Sequence, residues 1–269
     1  MSEIPRTEAR NPKATGVATM SSAEIVTLMN DEDGGVSVAM REALPAIARA
    51  VDAIAAAFAS GGRLRYIGAG TSGRLGVLDA SEAPPTFGVE PDLVHGVIAG
   101  GDAALRRSIE GAEDDPTSGE SDIERVARRG DVVVGLSASG SARYVVAAVT
   151  KARALGATTA CITCVPGSAL AGAVDIAIVV DVGPEVIAGS SRLKAGTATK
   201  LALNMLSTAA MIRSGRTKGD LMIDLRPTNA KLRARAVRLV SEELGIGDDA
   251  AARRLEAAGW SVRRAIGPR

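Results

Sequence analysis

The chain is poor in aromatic side chains: one Trp, two Tyr and two Phe make up 2% of its 269 residues. That leaves little for stacking nucleic-acid bases or building a sugar-stacking platform, so specificity for a small ligand falls to hydrogen bonds. Histidine is rarer still, with His95 alone, and cysteine is limited to Cys161 and Cys164. His95 sits inside a strand-like run between Val94 and Gly96, so no Ser-His-Asp arrangement is credible. One His and two Cys give a protein metal site little support. The C-x-x-C spacing lies in a β-rich run, where residues three apart point to opposite faces; it reads as two small core residues in a reducing cytoplasm. Net charge is nearly absent, with 32 Lys+Arg against 31 Asp+Glu, so no global field advertises nucleic acid or acidic lipid as a partner. There is no apolar run long enough to cross a bilayer, and the opening MSEIPRTEARNP is polar rather than signal-like. A cytoplasmic protein is expected.

What is present is a repeating pattern in a chain long enough for one large domain, or a domain with a small appendage. After an extended polar start, Ser21 to Glu24 offers a capping box for a helix that the acidic NDEDGG is expected to end. From Val36 to Ala59 apolar residues recur at helical spacing, with Pro45 expected to kink or split the helix and Gly61-Gly62 to stop it. Five strand candidates follow: RLRYIGA, LVHGVIA, DVVVGLSA, TTACITCV and DIAIVVDV. Helical stretches separate them (GRLGVLDA, DAALRRSIE, the region from 118 to 129, and SARYVVAAVTKARALG). Short apolar strands separated by helices argue for a mainly parallel five-stranded sheet covered on both faces, a three-layer α-β-α sandwich. The expected division is a helical N-terminal extension at 1–60, the α/β domain at 61–226 and a short helical region at 227–269.

Three turns carry the chemistry. The first, Gly68-Ala69-Gly70-Thr71-Ser72-Gly73, joins a strand to a helix and fits the dinucleotide fingerprint G-x-G-x-x-G. The fingerprint asks for an acid at the end of the second strand; Asp102 falls there with poor spacing. Thr71 and Ser72 suit a terminal phosphate better. The second turn, Ser137-Ala138-Ser139-Gly140-Ser141, also precedes a helix, and the third is Gly189-Ser190-Ser191-Arg192-Leu193-Lys194. One such turn is usually only a capped helix. Three around one parallel sheet suggest a sugar-phosphate pocket, since strands of such sheets place ligands at their carboxyl ends. A phosphomonoester wants several neutral donors and a cation, which Lys194 or Arg74 could supply.

The acids come next. Glu82 lies in SEAPPTFG, in what reads as a loop stiffened by Pro84 and Pro85 beside the first turn. Glu110 and Glu113 lie in IEGAEDDP, on the carboxyl side of the second βα unit. Two carboxyls in different surroundings can divide acid and base roles. On spacing alone each of them is more readily a solvated surface charge than a catalyst.

GAGTSGRLGVLDASEAPPTFG, IAGG with EGAEDD, VVVGLSASG, VPGSAL and GSSRLKAGTATKLALNMLSTAAMI closely resemble the N-acetylmuramic acid 6-phosphate etherases, members of the sugar isomerase (SIS) domain superfamily. TEARNP and LMNDED are similar to that family's N-terminus, so the resemblance runs from about Thr7 to Asn229. It implies a SIS fold and a cytoplasmic lyase that cleaves the lactyl ether of N-acetylmuramate 6-phosphate, as in peptidoglycan recycling. The implied route is elimination and rehydration without metal or organic cofactor. By resemblance Glu82 is the acid that protonates the leaving lactate and Glu113 the base that takes the C2 proton. Gly70, Thr71, Ser72, Ser137, Ser139, Gly140, Ser190, Ser191 and Lys194 would hold phosphate and sugar, and the family implies a homodimer with its site near the subunit interface. Arg192, Lys194 and Arg226 are candidates for the lactyl carboxylate. Family members commonly run further past the last helical segment; that departure bears on dimer contacts or a lid, not on the motifs. Two other readings stand beside the etherase: a phosphosugar-sensing regulator, which has no need of both glutamates, and a sugar-phosphate isomerase, which would not release lactate.

Overall fold

The computed structural model describes residues 6–225, 227 and 229–267. A strap of three short 3-10 turns (Arg6–Glu8, Pro12–Ala14 and Val17–Thr19) leads to α1, Ser22–Ala59. The expected capping box at Ser21 and Glu24 starts this helix. It then runs unbroken for 38 residues, through Gly34-Gly35 and Pro45, where a stop and a kink were expected. The reason lies in its buried stripe of Glu32, Val36, Met40, Ala43, Ile47, Ala50, Ile54 and Ala57, which faces the sheet and a later helix. A buried aliphatic side chain contributes roughly 1.5–3 kcal/mol, while an interior glycine costs only about 1 kcal/mol. Pro45 and Arg41, whose carbonyl loses its partner, are both exposed, so water can serve that oxygen.

Next come β1 (Leu64–Gly68), α2 (Gly70–Phe87), β2 (Val94–Ile98), α3 (Pro116–Val126), β3 (Val132–Leu136), α4 (Arg143–Ala154), β4 (Thr158–Thr163), α5 (Ala169–Gly172), β5 (Ile176–Val179) and α6 (Lys194–Arg213). All five expected strands form one sheet, in the order β2-β1-β3-β4-β5, with every pairing parallel. Side chains alternate across it. Val132, Val134 and Leu136 of β3 join α1, α2 and α6 in one core, and Val133 joins α3, α4 and α5 in the other. Cys161 and Cys164 fall on opposite faces, free and buried, with burial pushing both thiols up to about 12. The segment DAALRRSIE forms only a 3-10 turn at Gly101–Leu105, not a helix.

A small ribbon, β6 (Thr217–Lys218) with β7 (Leu221–Met222), leads to α7 (Ala230–Leu244), α8 (Asp248–Ala257) and α9 (Val262–Ile266). These three helices close on a cluster of their own around Leu225, Val240, Leu255 and Val262. Contact with the larger body is tight at Gly88, the left-handed cap of α2: a Cβ there would fall 1.9 Å from the Asp224 carbonyl oxygen. Only glycine fits.

Candidate active site

Chain direction places the site. From β1 the chain crosses through α2 to β2 on one side, and from β3 through α4 to β4 on the other. The crevice between the carboxyl ends of β1 and β3 is therefore the topological switch point, where open parallel sheets bind ligands. Gly68 pairs in register with Leu136, so the first and second hydroxyl turns leave the sheet side by side.

At the first turn, Gly68 and Gly73 approach so closely that a Cβ on Gly68 would lie 2.8 Å from the Cα of Gly73. Gly70 turns the chain at φ 52°. The start of α2 has Ala69 as its cap residue and no side-chain hydrogen bond on its free N–H groups. Among the described residues no protein group engages the hydroxyls of Thr71 or Ser72. Uncapped N–H groups, two hydroxyls and the positive end of an 18-residue helix make a ready anion cradle.

The second turn is a chain of hydroxyls. Gly140 N–H donates to Ser137 Oγ at 3.1 Å, and Ser139 Oγ lies 2.8 Å from Ser141 Oγ. Gly140 has φ 65°, and a Cβ on it would stand 2.2 Å from Ser168 Oγ, so backbone rather than side chain faces its neighbour. The start of α4, at Ala142, is likewise without a side-chain cap.

The third turn behaves differently. It reaches back to the first, since a Cβ on Gly196 would lie 3.7 Å from Ser191 O and 3.8 Å from Thr71 Cγ2. Its helix start is already filled by a carboxylate of the same chain. Buried Glu185 accepts from Lys194 N and from Ala195 N, both at 3.0 Å. Lys194 is buried too, and its Nζ donates to Glu32 Oε2 at 2.5 Å. Glu32 also accepts from Asn11 Nδ2 at 2.7 Å and Lys13 Nζ at 2.9 Å. These partners, the Lys194 hydrogen bond foremost, hold the Glu32 carboxyl down at about 2. The N-terminal strap completes the clamp, through Arg6 on Asp181 and the Gly189 N–H on the Thr7 carbonyl. Lys194 is thus not the free cation expected for phosphate; its charge is matched inside the protein.

Arg74 stands better placed. Its Nε donates to the Ala104 carbonyl at 2.9 Å, and with Gly70, Ser108, Glu110 and Glu113 it lines a cavity of about 330 Å³. Glu113 rides on the 3-10 turn Ala112–Asp114 and is exposed to that cavity. The base candidate and Gly70, at the head of the anion cradle, therefore line one space.

Glu82 does not join them within one chain. It lies in α2 itself, which continues through Pro84 and Pro85 to Phe87, rather than in a stiffened loop. The two prolines occupy the last turn, where they leave the Ala80 and Ser81 carbonyls without helical donors, and the Gly88 N–H closes on the Pro84 carbonyl at 2.9 Å. Twelve residues from Gly70 at helical rise put Glu82 about 18 Å along the axis. It is exposed there, one turn beyond the buried Asp79. Burial raises the Asp79 carboxyl above its usual range, while Tyr66 Oη at 3.0 Å and Ser207 Oγ at 3.2 Å donate to it. Arg192 is exposed within the third turn, and Arg226 lies outside the described residues. Among the described residues no group of three or more His, Cys, Asp or Glu could hold a metal ion. Sequence reasoning missed Glu32 and Glu185. Glu32 was legible in principle, four residues before Val36 on the buried stripe; Glu185 carries no local signal.

A doubly covered parallel sheet with hydroxyl turns at its switch point defines the sugar isomerase (SIS) class of α/β proteins. The SIS domain model matches residues 117–209, and the glucokinase regulatory protein N-terminal SIS domain model matches residues 46–153. Phosphoheptose isomerases from Francisella tularensis (TM-score 0.54, 19% identity, 71% of this chain and 98% of that one) and Neisseria gonorrhoeae (0.53, 18%, 70% and 97%) share the fold. Closer in sequence is an N-acetylmuramic acid 6-phosphate etherase of Symbiobacterium thermophilum, 55% identical over 97% of this chain and 87% of its own length. Another, from Gloeobacter violaceus, is 54% identical over 97% of this chain and 85% of its own length. The chain belongs to the N-acetylmuramic acid 6-phosphate etherase family.

Proposed function

We propose that the chain is a lyase that cleaves the D-lactyl ether of N-acetylmuramate 6-phosphate, giving N-acetylglucosamine 6-phosphate and D-lactate. The single observation that carries the reading to this crevice is the cavity shared by Glu113, Arg74 and the uncapped start of α2. Family membership supplies the substrate. The phosphate sits on the Thr71-Ser72 and Ser137-Ser139 turns, with the Gly70 and Gly140 backbone and Arg74 beside it. Ser190 and Ser191 hold the sugar from the third turn, whose helix start Glu185 already occupies.

Glu113 takes the C2 proton of the open-chain aldehyde, which the carbonyl acidifies. The C–H electrons form a C2=C3 double bond as the C3–O bond to lactate breaks. Glu82 protonates the departing oxygen, so lactate leaves as a neutral alcohol at that atom. Glu113 gives that proton up to solvent, from which Glu82 regains its own; Glu113 then takes a proton from the water that adds at C3 and delivers it to C2, which leaves both carboxyl groups as they began. Only acid–base groups take part.

Because Glu82 is exposed and about 18 Å from the cradle of its own chain, we assign its contribution to a second copy in a homodimer. The exposed face of α2 around it carries Leu78, 45% accessible, which a partner would cover. We further read the chain as cytoplasmic, with an N-terminal extension at 1–60, the SIS domain at 61–226 and a C-terminal helical unit at 227–269.

The test is incubation with N-acetylmuramate 6-phosphate in ¹⁸O-labelled heavy water with chelator present. D-lactate should appear, and the sugar product should carry deuterium at C2 and ¹⁸O at C3. Tight phosphosugar binding without lactate would indicate a sensor, and aldose–ketose interconversion an isomerase; either would overturn the reading.

A further inference from the structure

A second cavity, of about 430 Å³, opens at the far end of α2, between Gly88 and the helices α7 to α9. Its wall includes Arg216, Asp224, Arg233, Trp260 and Ser261. Trp260 has φ 59°, and among the described residues it is the one non-glycine residue in the left-handed region. Bulky side chains avoid that conformation, and where it persists the surroundings hold it in place, often at ligand clamps. The Arg233 guanidinium lies 4.9 Å from the centroid of the indole.

The carboxylate of this wall is already engaged. Arg263 donates to both oxygens of Asp224, from Nε at 2.7 Å and from a terminal nitrogen at 2.6 Å. Arg216 stands 4.0 Å from the same group. The lining residues therefore present two guanidinium groups and an indole: Arg216 shares Asp224 with Arg263, and Arg233 Nε reaches the Pro227 carbonyl at 3.5 Å. Guanidinium forks match phosphate or carboxylate oxygens, and an indole accepts the apolar face of a ring.

We propose that this cavity is a second ligand site, for a small sugar bearing a phosphate or carboxylate, separate from the switch-point crevice of its own chain. It lies at the opposite end of the 18-residue α2 from Gly70, about 27 Å away by helical rise. Gly88 packs directly on the Asp224 backbone, so an occupant bears on the end of the helix that carries Glu82. The site is thereby placed to act as an effector site. It does not depend on the etherase reading.

Trp260 is the only tryptophan of the chain, so its fluorescence reports this cavity alone. Wild-type protein is titrated with N-acetylglucosamine 6-phosphate, with inorganic phosphate and D-lactate as separate arms to tell phosphate from carboxylate recognition. A saturable change in emission is expected with at least one of the three. Arg216→Ala with Arg233→Ala should weaken it tenfold or more, and the paired Lys replacements, which keep charge but lose the fork, should weaken it less. Ser139→Ala, in the crevice, should leave it unmoved. Circular dichroism checks folding, and the Lys pair decides if the Ala pair unfolds. An emission that stays constant with all three ligands, up to concentrations that saturate the crevice, overturns the proposal. So does a change lost in Ser139→Ala but kept in the arginine variants. Absence of lactate release with an intact Trp260 response would count against the etherase reading alone.

Discussion

Helices α2 and α6 both begin on a turn rich in glycine and hydroxyls, and their starts serve opposite ends. At α2 the N–H groups carry no side-chain cap and open toward a cavity lined by Arg74 and Glu113. At α6 the equivalent N–H groups are spent on Glu185, and the lysine that looked like a phosphate ligand is spent on Glu32. A helix start binds an outside anion only if the protein has not supplied one itself. The difference separates a site that receives a charge from one that braces the wall beside it.

The largest effect expected from this contrast falls on the carboxylate in the open cavity. Glu113→Gln should lower turnover by about 10²–10⁴-fold, as for loss of a general base. Its melting temperature should stay close to wild type, since Glu113 is exposed. A near-normal rate would remove Glu113 from the chemistry.

A smaller effect separates the hydroxyl turns. Ser139→Ala removes a hydrogen bond to a charged phosphate, worth about 1.5–3 kcal/mol, so KM should rise by roughly 10- to 100-fold. Ser191→Ala removes a neutral contact to the sugar, worth about 0.5–1.5 kcal/mol, and should raise KM by roughly 2- to 10-fold. Equal KM changes, or the reverse order, would mean that the third turn holds the phosphate after all.

A third effect is on stability and depends on pH. The folded-state Glu32 carboxyl is depressed to about 2 from its usual 4.5. Its contribution is therefore complete above about pH 4.5 and is lost as pH falls toward about 2. Urea midpoints followed across that window should decline more in wild type than in Glu32→Gln, whose amide does not titrate. Parallel declines would show that Glu32 is not coupled to folding.

Much of this was legible in the residues. All five strands follow from short apolar runs, and the two hydroxyl turns at the switch point from the Gly and Ser residues that end the first and third of those runs, a local pattern. Prolines and glycines misled where tertiary burial outweighs local preference. Gly34, Gly35 and Pro45 sit on the exposed side of α1, whose opposite stripe is buried, and Pro84-Pro85 end α2 rather than lying in a loop after it. The pairing of Lys194 with Glu32 joins residues 162 apart, and no spacing rule reaches that far. The position of Glu82 turns on a local difference instead: its distance from the cradle depends on whether the segment is loop or helix, and it is helix.

That distance sets the sharpest test. Glu82→Gln and Glu113→Gln proteins, each inactive alone, are unfolded together, refolded as a mixture and assayed for D-lactate release from N-acetylmuramate 6-phosphate. If Glu82 of one chain serves the Glu113 cavity of another, a mixed dimer carries one intact site, and random reassortment should restore roughly a quarter of the activity of refolded wild type. Refolded wild type that releases lactate, beside a mixture that stays at the level of the single variants, would contradict the shared site.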